Sequence, residues 1–117
     1  MRIDVKFEGL EEWSQSEKEW ARDVIQKTNN EIEKIALSIE RDAKMIVPVD
    51  TGELRGSIST TIRKTNSKAS AEVGTDVEYA EVVEFGGRNQ RAQPYLIPSF
   101  ERNVSKLERS ISDVLRG

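Results

Sequence analysis

The chain of 117 residues has no cysteine, no histidine and only three prolines. Without cysteine, a disulfide framework, a thiolate zinc site and a cysteine nucleophile are excluded. Without histidine, the commonest general base and the commonest transition-metal ligand are gone, and any chemistry would fall to carboxylates, lysines, tyrosines and hydroxyls. No run of about eighteen apolar residues occurs, and the opening Met1-Arg2-Ile3-Asp4-Val5 has no apolar signal core. A soluble protein made in a cytoplasm, with no membrane span, is therefore expected. A net charge of -3 argues against general affinity for a polyanion. Hydrophobic residues make up 36% and charged residues 33%, so one modest core with much exposed surface is expected, as a single domain over residues 1–117.

Periodicity divides what is present. Ile3, Val5 and Phe7 alternate with Arg2, Asp4 and Lys6, the pattern of a strand with one buried face, and Gly9 breaks it. From about Ser14 to Ile46, Trp20, Val24, Ile32, Ile35, Ile39, Ala43 and Ile46 recur every three or four residues, with Thr28 filling the gap. That spacing predicts a long amphipathic helix, with Ser14 and Ser16 as alternative capping-box starts ahead of Glu17 and Glu19, and Pro48 as its stop. Ser57 to Lys64 and Ala69 to Gly74 read as two antiparallel strands joined by a turn at Thr65-Asn66-Ser67-Lys68, with Ala71 and Val73 inward. Val77 to Phe85 fits a short helix ended by Gly86 and Gly87, with Phe85 in the core and Gly86 in a left-handed conformation. Residues 88–93 have no periodicity and read as a loop; Pro94 to Pro98 read as a short extended segment. Phe100, Val104, Leu107, Ile111, Val114 and Leu115 then mark a second long helix, with Pro98 suited to its first turn. The fold class that follows is α+β, with two long amphipathic helices packed on one side of a small antiparallel β-sheet that has a central hairpin.

Three segments carry a more specific signal. They are Pro48-Val49-Asp50-Thr51-Gly52-Glu53-Leu54-Arg55-Gly56-Ser57-Ile58; then Val73-Gly74-Thr75 followed by Tyr79-Ala80-Glu81-Val82-Val83-Glu84-Phe85-Gly86; then Pro94-Tyr95-Leu96-Ile97-Pro98. In this order between two helices they resemble the gene-product-ten family of lambdoid phages, which comprises tail-completion and head-tail joining proteins. The opening strand before a long helix is similar too. The resemblance implies a non-enzymatic virion protein at the head-tail junction or tail end, present in the host cytoplasm during assembly. It also implies other connector or tail proteins as partners, a homo-oligomeric ring, and no cofactor or metal.

The residues themselves supply reasons for the motif. Gly52 and Gly56 permit a sharp change from helix to strand, Leu54 and Ile58 can anchor the joint, and Asp50 can cap the short turn with Glu53 reaching back. Most of these residues are expected to serve the fold, with Arg55 available to a partner. Tyr79, Glu84 and Phe85 can serve either a subunit contact or the core.

Charge is segregated. Arg55, Arg63, Lys64 and Lys68 form a basic stretch without acids, and Glu72, Asp76, Glu78, Glu81 and Glu84 an acidic stretch without bases. The two hairpin strands can neutralise each other across the ladder, or the basic hairpin of one subunit can meet Glu78 and Glu81 of its neighbour in a head-to-tail ring. Arg88 and Arg91 on the loop are solvated in the simpler reading, or touch DNA phosphates as a channel lining.

Two other classes compete with this reading. An enzyme would have to use Asp50 with Glu53, or Glu81 with Glu84, and no pocket that would hold either pair across a substrate is evident. A small cytoplasmic interaction module or regulator would use the long charged helix and act as a dimer.

Overall fold

The computed structural model describes residues 1–7, 19–48, 52–64 and 69–116. The proposed helix starts at Ser14 and Ser16 with Glu17, the break at Gly9, the turn residues Asp50 and Thr51, and the hairpin connection Thr65 to Lys68 lie outside the described residues. The elements run in the order β1 (Arg2–Phe7), α1 (Glu19–Ile46), α2 (Glu53–Ser57), β2 (Ser59–Lys64), β3 (Ala69–Gly74), α3 (Ala80–Phe85) and α4 (Leu96–Arg116). The fold is α+β, as the alternation of periods predicts.

The three strands are antiparallel in the order β1-β3-β2, so β3 is central and the chain reaches its far edge by way of α1. The register aligns Ile62, Ala71 and Val5 across the sheet, and likewise Thr60, Val73 and Ile3. Because side chains alternate along a strand, both rows share one face, and there Val5, Ala71 and Val73 are buried. The opposite face carries Arg2, Asp4, Glu72, Thr61 and Arg63. There Arg2 bonds Glu72 at 3.3 Å and Asp76 at 2.8 Å. Glu72 is thus neutralised from β1 and not from its hairpin partner β2.

Helix α1 contacts all three strands, α2 and α4, and α4 also touches β1. Its buried face is Val24, Ile25, Thr28, Ile32, Ile35, Ala36, Ile39 and Ala43, a stripe at helical spacing. The stripe differs from the expectation at its end: Ile46 is exposed, and Val47 turns inward in its place, its N–H reaching the carbonyl of Ala43 at 2.9 Å. The ring of Pro48 disfavours helical geometry at Val47, which is why the helix stops at Ile46. In α4 the buried residues are Leu96, Ser99, Asn103, Leu107 and Ile111, while Leu115, expected inside, is exposed.

Polar residues mark where α1 and α4 lock. The Asn103 amide donates to Asp42 at 2.9 Å and to the Ser99 carbonyl at 2.7 Å, with Arg41 and Arg102 beside the carboxylate. The Asn103 bond and then the arginines outweigh desolvation and hold the Asp42 carboxyl below its ordinary value. Since the unfolded chain takes up that proton more readily, Asp42 stabilises the fold fully above about pH 4 and loses this contribution as pH falls through its depressed folded value. Urea unfolding from pH 2 to 6 is expected to show a shallower acid decline in Asp42→Asn than in the parent protein.

Candidate assembly surface

The three motif segments, far apart in sequence, meet at the Gly74 end of the sheet. Gly52 immediately precedes α2, and its φ of 79° and ψ of -8° suit a residue without a side chain. Gly56, by contrast, sits inside α2 without a positive φ, so only Gly52 makes the sharp turn. Leu54 and Ile58 are buried on either side of it. The Ser57 hydroxyl donates to the Leu54 carbonyl at 2.7 Å and lies within hydrogen-bonding distance of the Thr75 hydroxyl, which in turn accepts the N–H of Val77. The first motif is thereby tied to the second. Tyr79 adds an outer link, donating its hydroxyl to Glu53 at 3.3 Å. A shallow notch at this junction is lined by Pro48, Gly52, Leu54, Tyr79, Val83 and Gln93.

Glu84 ties the second motif to the third. It is only 2% exposed, and its carboxylate accepts the N–H groups of Tyr95 at 3.2 Å, Leu96 at 2.8 Å and Ile97 at 3.3 Å. The first N–H groups of a helix have no partner within it, and the helix dipole favours negative charge there. A glutamate eleven to thirteen residues upstream therefore caps α4. This explains a difference from the expected extended segment: Leu96, Ile97 and Pro98 are already the first turn of α4. Pro98 fits because a residue there need not donate to a helical carbonyl. Tyr95 is fully buried and donates its hydroxyl to the Ala80 carbonyl at 3.3 Å. Burial, with the Glu84 charge beside it, pushes its pKa up to about 12, which keeps that donor protonated.

With Ala80, Val83 and Glu84 turned inward, α3 shows its other face to solvent. Phe85, expected in the core, is 61% exposed, and Tyr79 and Val82 are each 39% exposed. The three recur at every third position and form one outward stripe. Gly86 follows with φ 86° and ψ 166°, an extended positive-φ conformation rather than the left-handed helical one expected, and the Gln93 N–H then bonds back to the Val83 carbonyl at 2.8 Å. The loop is pinned further by a bridge between Gly87 and Gln90.

The charged candidates divide between the two ends of the sheet. Glu78 and Glu81 flank the α3 stripe, exposed and without an ion pair to any described residue. Arg63 lies toward the other end of β2, opposite Ser70, and is likewise exposed and unpaired among the described residues. Lys64 next to it is occupied within the subunit, its ammonium 2.5 Å from the carboxylate of Glu33 on α1. Arg55, grouped with the hairpin bases by sequence, sits on α2 at the acidic end. Arg88 and Arg91 are exposed on the loop after α3, and Lys68 is outside the described residues. The carboxylate pair Glu81 and Glu84 does not converge, one side chain facing solvent and the other capping α4. Among the described residues, no group of three or more carboxylates could hold a metal ion, and no helix is long and apolar enough to cross a membrane.

Sequence signals for the α4 cap and for the Asp42–Asn103 pair were absent, because each joins residues on different elements. The buried polar side chains of Glu84, Asn103 and Asp42 thus join one element to another, and α3 leaves an apolar stripe outward. A family model described as "Bacteriophage HK97-gp10, putative tail-component" matches residues 8–86, more than half of the chain. The chain belongs to this HK97-gp10-like family of phage tail components. The match takes in the first two motif segments and stops at Gly86, so Pro94 to Pro98 and α4 lie beyond it. No curated protein and no solved structure matches the chain.

Proposed function

We propose that the protein joins head to tail or completes the tail of the virion, as one non-enzymatic subunit of a ring seated on the connector or tail tube. The observation that carries this reading is the unlikeness of the two ends of the sheet. One end presents Tyr79, Val82 and Phe85 among acids that pair with no described residue, and the other presents Arg63. Faces that differ in this way are complementary to each other rather than to themselves. They suit a heterologous contact repeated head to tail, which closes into a ring when the rotation permits. Family membership supplies the setting, a virion in which the neighbours are other tail or connector proteins.

Virions produced without this protein are expected to be incomplete and non-infectious, seen in electron images as heads and tails that fail to join or tails left unfinished. Complete, infectious particles would contradict the proposal. Light scattering of the purified protein is expected to give a mass many times that of one chain, alone or with its docking platform. The pairing of charges also guides the choice of variant. Reversing Lys64 would place a glutamate against Glu33 and disturb the subunit itself, so Arg63→Glu is the cleaner probe. It is expected to leave the melting temperature within about 2 °C, as exposed surface changes do, while reducing assembly.

A further inference from the structure

We infer that the outward face of α3, with Phe85 and Glu81 at its centre, is the seat for the Arg63 end of strand β2 of a second copy of this chain. The inference rests on the ring reading above and names the two surfaces that meet in it. Three observations carry it.

First, the α3 face is rigidly presented. A helix of only six residues would not hold its shape alone, yet Glu84 and Tyr95 fasten its inner side through buried hydrogen bonds. A partner would therefore find Tyr79, Val82 and Phe85 already arranged, with little ordering left to do on binding. Second, the face is apolar and acidic together. Phe85 is the most exposed aromatic among the described residues, Glu81 stands four residues before it on the same helix, and neither Glu78 nor Glu81 pairs with a cation among the described residues. An aromatic ring next to a free carboxylate is the pairing that a guanidinium satisfies best, since it can lie over the ring while donating to the carboxylate.

Third, the chain carries such a guanidinium on an accessible strand. β2 is an edge of the sheet, with one side unpaired by any described strand, and Arg63 projects from its solvent-facing side with no carboxylate partner among the described residues. Of the two described bases on this end of β2, Lys64 is held by Glu33, and Arg63 pairs with no described carboxylate. Within one subunit the two surfaces do not meet. Arg63 pairs with Ser70, four residues along β3 from Gly74, or roughly 13 Å, and α3 lies beyond that. The contact is therefore one between copies; made reciprocally about a two-fold axis it would stop at a dimer, and made head to tail it continues from copy to copy, as the ring reading requires.

The absence of cysteine allows a clean test. Arg63→Cys and Phe85→Cys are introduced singly and together. A disulfide needs Cα atoms within about 7 Å, which the two sites in one chain do not satisfy. Under mild oxidation the double variant is expected to give a ladder of covalent multimers on a non-reducing gel, both purified and in virions recovered by complementation. An equal mixture of the single variants should stop at dimers. A control pair, Arg63→Cys with Leu37→Cys, should give neither. Alongside, Phe85→Ala is expected to raise the subunit concentration needed for half-assembly about tenfold, and Arg63→Glu to be rescued by Glu81→Arg. Circular dichroism melts confirm that each variant is folded.

Rings that form without the ladder, with Phe85→Ala and Arg63→Glu assembling like the parent protein, would overturn this contact and leave the ring reading standing. No multimer in solution or in virions would overturn both. Dimers from Phe85→Cys alone would show a face meeting itself, and cross-links to another virion protein would show that α3 docks on the platform; either result overturns the inference.

Discussion

Glu84→Ala is expected to destabilise the protein by about 3 kcal/mol, since hydrogen bonds to a charged group are worth 1.5–3 kcal/mol and the donors left behind are buried. Three backbone N–H groups, those of Tyr95, Leu96 and Ile97, depend on this one carboxylate. Two of them, at Tyr95 and Leu96, are in buried positions where water does not readily take its place. Glu84→Gln separates charge from geometry. Its single carbonyl oxygen can still accept from Tyr95 and Leu96, which share one oxygen of the glutamate, so roughly half the loss is expected. Urea titration followed by circular dichroism measures both. If Glu84→Ala melts like the parent protein, the start of α4 is held by something other than this cap.

Gly74→Ala is expected to cost about as much, roughly 3 kcal/mol, for a steric reason. A methyl group at Gly74 would fall 2.6 Å from the Cα of Arg2 and 2.7 Å from its Cγ, and would also strike the Met1 carbonyl oxygen. That carbonyl accepts the N–H of Thr75 at 2.8 Å, so the backbone on both sides is committed and cannot give way cheaply. The strand that moves should be β1, at the edge, because β3 is held on both sides. Hydrogen exchange is expected to show faster exchange in residues 2–7 of the variant, ahead of any change in α1. Uniform loosening of the whole protein would instead mean that β1 and the core unfold as one unit.

Long periodic segments were legible from sequence: β1, α1, the β2–β3 pair and α4 all follow from spacing, because each buries a single face over many residues. Short segments were not. On α3 the pattern Tyr79, Val82, Phe85 and the pattern Ala80, Val83 are both apolar at helical spacing, and six residues give no basis for choosing between them. The choice is made by Glu84, which turns inward to cap a helix that begins eleven residues later in the chain and takes Ala80 and Val83 with it. That is also why Phe85 faces out and why Leu96 to Pro98 coil instead of extending. Buried Asn103 escaped notice for a related reason: a polar residue amid an apolar stripe reads as a defect until its partner Asp42, on another helix, is known. Of the charged candidates, the sign of each block could be read, but the pairing could not. Only the fold reveals that Arg2 takes up Glu72 and Asp76, and Glu33 takes up Lys64, leaving Arg63, Glu78 and Glu81 without an ion pair among the described residues.

The cap by Glu84 has a mechanical side. Because the residue that fastens the inside of α3 also begins α4, a tug on the exposed ring of Phe85 cannot be absorbed by swinging the short helix alone. It is handed on to a helix of 21 residues braced along α1. Strain arriving at one small aromatic foothold would thus be spread along two long helices packed on each other, a useful trait wherever neighbouring parts pull against each other.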